Sequence, residues 1–215
     1  MTTLLLLLLL DLWVPASSGA STPETRTWHF DEDRLEQLPP QFAIGTFADG
    51  RPAGDWNVIT TPKALSPPNV LAQLREKGAG YNVVLIDEVQ AANLDLSVSF
   101  LPISGKTDMG GGLIWRAADD RNYYLIRANP LEQNIRPYHV VKGIRKMLKN
   151  YDAIIDIKMW HRLDVVNQGC RIQIFYDEKP ISDLCDDTFK VGRIGLWTKS
   201  DAVTYFDDLR FHSLP

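Results

Sequence analysis

The sequence predicts an all-β fold, a two-sheet antiparallel sandwich of the jelly-roll type. Runs rich in β-branched and aromatic residues are short and are separated by Gly, Asn and Asp, as in strands joined by tight turns. Helical periodicity is confined to residues 31–37 and 68–77. Many strands without a long helix favour two packed sheets. The predicted strands are residues 83–86, 94–100, 112–117, 123–128, 135–141, 153–159, 161–166, 171–176, 192–198 and 202–212.

Length and composition predict one domain with one substantial core. The chain has 215 residues, of which 45% are hydrophobic, and its formal net charge is -4. Single all-β domains often reach this length. The mildly acidic balance supplies no positive field for nucleic acid or for an anionic membrane. We therefore expect neutral partners and no nucleic acid.

Residues 1–20 have the order of a signal peptide. The apolar run Leu4–Leu10 is followed by small residues at 16–20, and Ala20 is the last residue expected to be removed. The run is too short to cross a bilayer, so no transmembrane anchor is expected after signal removal. This order predicts a secreted, periplasmic or extracellular protein in which residues 21–215 form a single β-sandwich domain.

The two cysteines are predicted to form a disulfide bond. Residues 171–176 and 180–184 have the pattern of two strands, and a two-residue turn at Asp177-Glu178 would place Cys170 opposite Cys185. An oxidising compartment would let the bond close. Such a bond contributes on the order of 3 kcal/mol in the chain-entropy model. The alternative is a pair of buried free thiols.

Several motifs resemble those of a known family. They are Phe30-Asp31, PPNVLAQ at 67–73, GGLIWRAADDRNYYLIRANPLEQN at 111–134, Trp160-His161, Asp187-Thr-Phe189 and GRIGLWTKSDAVTYFDDL at 192–209. Over residues 28–212 the chain resembles secreted bacterial proteins with a concanavalin A-like lectin/glucanase jelly roll, related to the 3-keto-disaccharide hydrolase-type domain. The resemblance implies this fold and a carbohydrate ligand, with glycoside or 3-keto-disaccharide hydrolysis as an alternative activity. The chain departs from the family pattern at Cys170, Cys185, the Asp177-Glu178 turn and Pro130.

The segment Gly110–Glu132 is predicted to form a hairpin whose turn, residues 118–122, brings Arg116 opposite Tyr124. Strand alternation would then divide the side chains between Ile114, Arg116, Tyr124 and Ile126 on one face and Leu113, Trp115, Leu125 and Arg127 on the other. Each face would hold both apolar and cationic groups.

Two interpretations of this hairpin stay open. The arginines and tyrosines could lie inside the sandwich, with Glu132 as the partner of Arg127. Alternatively, they line the concave sheet, where they hydrogen-bond sugar hydroxyls while an aromatic ring stacks on the sugar. The candidate ligand-binding residues in this region are Arg116, Asn122, Tyr124, Arg127, Asn134 and Tyr138, together with Glu132.

The C-terminal block, residues 195–209, has similar chemistry. Trp197 and Lys199 are candidate ligand-binding residues, although the same segment could simply form core strands joined by a turn at 199–201. Asp207 and Asp208 lie near the chain end, as Phe30-Asp31 lies near its start. They could share a structural calcium ion with backbone oxygens, or they could cap turns. No other cofactor is expected.

A glycosidase needs two carboxylates beside the scissile bond, about 5 to 5.5 Å apart in retaining enzymes and about 6.5 to 9.5 Å apart in inverting ones. The E-x-D-x-x-E run of family-16 glucanases does not occur in the sequence. The candidate catalytic residues are therefore Glu132 and Asp119 as acid or base, with Arg116 holding a hydroxyl or an oxyanion. The four histidines lack zinc-site spacing.

Residues 142–149 contain a local basic cluster of Lys142, Arg145, Lys146 and Lys149. It could contact an acidic polysaccharide or belong to a solvated hairpin. Together, the patterns leave three functions open: a non-catalytic glycan-binding module, a hydrolase of a glycoside or keto-sugar, and an adhesive or structural envelope protein.

Overall fold

The computed structural model describes residues 23–157 and 159–215, and these residues form sixteen β-strands and no helix. The strands are Thr25–Trp28 (β1), Phe42–Ile44 (β2), Trp56–Thr60 (β3), Asn69–Gln73 (β4), Tyr81–Ala91 (β5), Leu94–Ser104 (β6), Gly111–Asp119 (β7), Asn122–Asn129 (β8), Asn134–Val141 (β9), Ile144–Met147 (β10), Tyr151–Asp152 (β11), His161–Gln168 (β12), Arg171–Tyr176 (β13), Lys179–Cys185 (β14), Gly192–Lys199 (β15) and Val203–Ser213 (β16).

The strands form two antiparallel sheets of eight strands each. Sheet A has the order β14-β13-β12-β6-β16-β4-β3, and β1 also pairs with β16. Sheet B has the order β10-β9-β8-β7-β15-β5-β2, and β11 also pairs with β9. Consecutive strands β15 and β16 lie in different sheets, so the turn between them carries the chain from one layer to the other. The predicted two-sheet jelly-roll sandwich is confirmed.

The main core lies between the sheets and follows strand alternation. In sheet B, Leu113 and Trp115 of β7 point to the same side as Ile126 of β8, and they meet Phe100 and Phe206 from sheet A. These side chains are fully buried. Each one contributes roughly 1.5–3 kcal/mol relative to an exposed position.

A second apolar cluster lies on the opposite side of sheet B, which we call its outer face. It contains Ile114, Tyr123, Leu125, Tyr138, Val140 and Trp197 with Val83, Leu85 and Ala117. One end of this cluster lies under a contact between the β7–β8 turn and the segment after β2, where the Thr46 backbone N–H donates to Asp120 at 2.6 Å. The outer face of sheet B is therefore partly apolar and partly covered by the chain itself.

The two predicted helical segments are wrong. Residues 31–37 form turns. Residues 69–73 form β4, which is hydrogen-bonded to β3 on one side and to β16 on the other. Pairing on both sides outweighs the weak helical periodicity of this short segment.

The strand predicted at 153–159 is not formed by residues 153–157 or 159, because in this region only Tyr151–Asp152 pairs with β9. Beyond Asp152 the chain contacts Gln133: the Ala153 backbone N–H donates to the Gln133 carbonyl at 3.0 Å, and the Ile155 backbone N–H donates to its Oε1 at 3.0 Å. The short strands β1, β2, β3 and β10 were not predicted, since each lies at or near a sheet edge and has few residues.

The predicted disulfide bond between Cys170 and Cys185 is confirmed, with a Cα–Cα distance of 4.8 Å. The predicted register holds near the turn, where Tyr176 pairs with Lys179. A bulge between Ile174 and Phe175 then shifts the pairing by one residue, so Cys185 lies opposite Arg171. The cysteines are therefore diagonal neighbours, and the bond still closes the hairpin.

The predicted signal peptide, residues 1–20, lies outside the described residues. Within the described ranges, no helix has the length and apolar character needed to cross a membrane.

Candidate functional site

The β7–β8 hairpin has a different register from the predicted one. Tyr124 lies opposite Trp115, not Arg116, and the register shifts between Trp115 and Asp119. Arg116 lies in this irregular stretch with a positive φ of 47°. Because side chains alternate, a one-residue change in register exchanges the faces. Tyr124 consequently shares the inner face with Trp115, and the predicted division of side chains is wrong.

Arg116 and Tyr124 therefore lie away from the outer face of sheet B. The Arg116 guanidinium is buried and donates from Nε to the Ala92 carbonyl at 2.7 Å and from Nη1 to the Phe189 carbonyl at 3.0 Å. The Tyr124 hydroxyl donates to Asp186 at 2.5 Å, and burial raises the pKa of Tyr124 to about 12. Both side chains are thus engaged by the protein itself.

The predicted residues Asp119 and Asn122 lie in the β7–β8 turn. Asp119 accepts hydrogen bonds from the backbone N–H of Arg121 and from Nδ2 of Asn122, both at 2.8 Å. Asn122 in turn accepts from the Lys142 backbone N–H at 2.9 Å. These contacts shape the turn and join it to the β9–β10 hairpin.

Five of the predicted ligand-binding residues do share one surface, the outer face of sheet B. They are Arg127 on β8, Asn134 and Tyr138 on β9, and Trp197 and Lys199 on β15. Strand pairing places Trp197, Gly112, Arg127 and Arg136 in one row across the sheet. A Cβ at position 112 would lie 1.9 Å from the Ile126 carbonyl oxygen, so only glycine fits at this position of the row.

An ion-pair network surrounds Glu132, which lies in the β8–β9 connection at one end of this surface. Arg127 donates from Nη1 to Oε1 of Glu132 at 3.2 Å, and its Nη2 lies 3.1 Å from Oε2. Arg136 donates to Oε2 at 2.5 Å. The Arg127 side chain is 1% exposed and the Glu132 side chain is 42% exposed. The network therefore has a buried guanidinium and a carboxylate that solvent can reach. The predicted Arg127–Glu132 pair is present.

The same network sets the charge of Glu132. Hydrogen bonding from Arg127, reinforced by Asn134 and by the charge of Arg136, lowers the pKa of Glu132 to about 2. The carboxylate is therefore ionised at neutral pH. A general acid of a glycosidase requires a raised pKa. This environment favours a hydrogen-bond acceptor at Glu132 over a proton donor.

Asp108 extends the network to Lys199. Its Oδ2 accepts from Nζ of Lys199 at 3.0 Å and lies 4.0 Å from Nη1 of Arg127, while Asn129 donates to Oδ1 at 2.8 Å. Asp201 positions the loop that carries Asp108. Although partial burial opposes it, acceptance of backbone N–H groups from Lys106 to Asp108 lowers the pKa of Asp201 to about 2. Ion pairs of alternating sign therefore connect five residues in the order Lys199, Asp108, Arg127, Glu132 and Arg136.

Next to this network lies an aromatic cluster that includes an arginine. The guanidinium carbon of Arg145 lies 4.2 Å from the centre of the Tyr138 ring, 5.7 Å from that of Tyr81 and 5.8 Å from that of Trp197. The rings of Tyr81 and Trp197 also pack together at 5.4 Å. Trp197 and Tyr138 are buried, and Tyr81 is partly exposed.

Four residues of this surface were not singled out as ligand-binding from the sequence: Tyr81, Asp108, Arg136 and Arg145. Arg136 has the same parity as Asn134 and Tyr138 on β9, so strand alternation could have identified it. Tyr81 and Asp108 reach the surface through tertiary pairing with Lys199, which no local pattern encodes.

The acidic residues considered for calcium have hydrogen-bond partners within the protein. Asp31 accepts from the Asn69 backbone N–H at 3.1 Å. One candidate group, His29, Asp207 and Asp208, has ligand atoms within 4.8 Å of one another. Asp207, however, already accepts from the backbone N–H groups of 65 and 66 and from the Ser66 hydroxyl. Calcium takes six to eight oxygen ligands. These contacts give Asp207 a structural role in holding the 65–66 loop.

Several solved structures share this two-sheet sandwich fold. A carbohydrate-binding module, CBM66 from Bacillus subtilis, is similar in structure with a TM-score of 0.64 and 18% identity, covering 79% of this chain and 94% of the module. A galectin-like-fold protein of unknown function from Bacillus subtilis has a TM-score of 0.56 and 10% identity, covering 80% of this chain and 89% of that protein.

The GH43 protein BlXynB from Bacillus licheniformis is similar over 87% of this chain but only 39% of its own length, with a TM-score of 0.60 and 14% identity. No protein-family model matches the chain, and no curated protein sequence does. At these identities the likeness concerns the fold, which is the concanavalin A-like lectin/glucanase type.

Proposed function

We propose that this protein is a non-catalytic carbohydrate-binding β-sandwich whose binding surface is the outer face of sheet B. The observation that carries the proposal is the exposed Glu132 carboxylate, held between Arg127 and Arg136 beside an aromatic cluster. Sugars offer hydroxyls to fixed charged groups and apolar ring faces to aromatic side chains. The fold it shares with a carbohydrate-binding module supports this function.

The residues proposed to contact the glycan are the solvent-reaching members of the network. Glu132 is 42%, Arg136 27% and Lys199 30% exposed at the side chain. The buried Arg127 and Asn134 act behind them, because Asn134 accepts from Arg127 at 2.8 Å and donates to Glu132. Tyr81 supplies a partly exposed ring at the same surface.

A binding function fits the charge state of the site better than hydrolysis does. Both carboxylates of the network, Asp108 and Glu132, are engaged by cations. A pKa of about 2 keeps Glu132 ionised at neutral pH, so both of its oxygens accept hydrogen bonds and neither donates one. Asp119, the other predicted catalytic carboxylate, is engaged in the β7–β8 turn.

Glycan-array binding of the wild type and of Glu132→Gln tests the proposal. The variant keeps the shape of the side chain but loses the charge, so we expect at least about tenfold weaker binding, the effect of weakening hydrogen bonds to a charged group. Asp183→Asn is the matched control, because Asp183 pairs with Arg171 on the exposed edge of sheet A. The control should bind like the wild type.

Turnover assays on every bound glycan separate binding from catalysis. We expect no product from either protein. If the wild type forms product and Glu132→Gln does not, the protein is a hydrolase and the non-catalytic proposal is wrong. If no glycan on the array is bound, the proposed carbohydrate function is wrong.

Export is part of the proposal. The disulfide bond is compatible with an oxidising, extracellular compartment. In a host that exports the protein, we expect mature chains that begin at Ser21, after removal of residues 1–20. Mass spectrometry of the exported protein measures this, and retention of residues 1–20 would contradict it.

A further inference from the structure

The Arg145 guanidinium differs from the other cations on the outer face of sheet B. It is stacked over the Tyr138 ring at 4.2 Å, yet within residues 23–157 and 159–215 no carboxylate lies within ion-pair distance of it. Its Nη1 is buried and has no hydrogen-bond partner among the described atoms. Arg127 and Arg136, in contrast, both bind Glu132.

Two further buried polar atoms lie near Arg145, Nε1 of Trp197 and the hydroxyl of Tyr123. They interact with each other, because hydrogen bonding from Trp197 opposes the rise that burial causes in the pKa of Tyr123. Both residues are almost completely buried and belong to the same outer-face cluster as Tyr138. Buried polar groups are normally hydrogen-bonded, and each unpaired one needs an explanation. Arginine and tryptophan can only donate. Because the Tyr123 hydroxyl can accept from Trp197, Nη1 of Arg145 is the atom of this group that has no acceptor among the described residues.

The two carboxylates of the neighbouring network are not ion-pair partners of Arg145. Glu132 is bound by Arg127 and Arg136, and Asp108 is bound by Lys199. Asp152, at the edge of the same sheet opposite Asn134, accepts from Asn150 at 3.3 Å. Within the described ranges Arg145 thus has no carboxylate partner, in contrast to Arg127, Arg136 and Lys199.

A planar guanidinium fixed on an aromatic ring is suited to a carboxylate. Its forked donors match the two carboxylate oxygens, and stacking holds the plane in place before the ligand arrives. Arg145 lies on β10, the edge strand of sheet B, and its side chain is only partly buried, so a ligand can reach it from solvent. Lys142 and Lys146 are exposed on the same β9–β10 hairpin.

We propose that Arg145 is the carboxylate receptor of the outer face of sheet B and that the glycan bound there contains uronic acid. This inference rests on the proposed carbohydrate function and adds the chemical class of the sugar.

The experiment measures binding of galacturonic acid oligomers to the full chain by isothermal titration calorimetry. The same oligomers with every carboxyl group methyl-esterified keep the sugar and remove the charge. Sulfated dextran shows whether any anionic polysaccharide suffices. The variants are Arg145→Gln, Arg145→Lys and the control Arg210→Gln, which removes one positive charge from an exposed position on sheet A.

We expect the esterified oligomers and Arg145→Gln each to weaken binding by about tenfold or more, the loss expected for one charge-assisted pair. The affinity of Arg145→Lys should lie between those of the wild type and Arg145→Gln, because lysine keeps the positive charge but lacks the planar pair of donors. Arg210→Gln should match the wild type, and thermal unfolding should confirm that every variant is folded.

Equal affinity for free and esterified oligomers would overturn the inference, as would unchanged binding by folded Arg145→Gln or equal binding of sulfated dextran. If the protein binds neutral glycans only, the uronic acid inference fails while the carbohydrate function stands. If it binds no glycan at all, both fail.

Discussion

Replacing Trp115 with alanine is expected to lower the free energy of unfolding by about 3–5 kcal/mol, the range for deleting a large buried aromatic side chain. Trp115 on β7 is fully buried, stacks on Tyr124 with ring centres 5.4 Å apart, and donates from Nε1 to Asn167 at 2.9 Å. Asn167 belongs to β12, so this hydrogen bond joins sheet B to sheet A. The substitution removes a core contact and leaves a buried acceptor unpaired.

Urea unfolding followed by circular dichroism measures this loss. Trp160→Ala is the matched control, because Trp160 is only partly buried and lies outside the strands, and its loss should be clearly smaller. A loss below about 1 kcal/mol for Trp115→Ala would mean that the core closes around the cavity. At temperatures where the variant is folded, glycan binding should persist, since Trp115 faces the interior and not the outer face.

Replacing Arg127 with methionine is expected to remove glycan binding and to destabilise the fold by about 3 kcal/mol, the lower end of the range for breaking a buried ion pair. The lower end of the range applies because neither carboxylate is left without a cation: Asp108 still pairs with Lys199, and Glu132 still pairs with Arg136. Methionine fills much of the same space, so the loss reports on charge and hydrogen bonding. Arg127 holds both Glu132 and Asn134, so the binding surface loses its geometry.

Chemical unfolding and glycan titration of the same Arg127→Met sample separate the two effects. Arg162→Met is a suitable control, since Arg162 pairs with Asp164 on sheet A. A folded Arg127→Met protein that binds glycans like the wild type would show that the network is structural only, and the binding surface would have to lie elsewhere.

Strand alternation was sufficient to predict much of the fold from the sequence. The jelly-roll sandwich, most central strands and the Cys170–Cys185 bond follow from patterns of two to eight residues. The register of the β7–β8 hairpin could not be predicted in this way. Between the Trp115–Tyr124 and Asp119–Asn122 pairs, β7 has two more residues than β8, and no local pattern indicates this irregularity. This irregular stretch determines which of Arg116, Tyr124 and Trp115 faces the interior.

The candidate site was only partly predictable for the same reason. Arg127, Asn134 and Tyr138 lie on neighbouring strands with a short connection, so their shared face follows from alternation. Asp108 and Tyr81 reach the site from strands and loops distant in sequence. Arg145 belongs to a basic cluster visible in the sequence, but its stacking on Tyr138 depends on side-chain direction across a strand pair.

The hairpin that carries the disulfide ends sheet A, and its last strand, β14, is open to solvent along one side. Exposed strand edges can recruit strands from other molecules and so start aggregation. Here Pro180 has no N–H to offer, Lys179 and Asp183 add charge, and the covalent link at Cys185 keeps the strand from peeling away. The same bond that closes the hairpin therefore also helps to keep neighbouring molecules apart at high concentration.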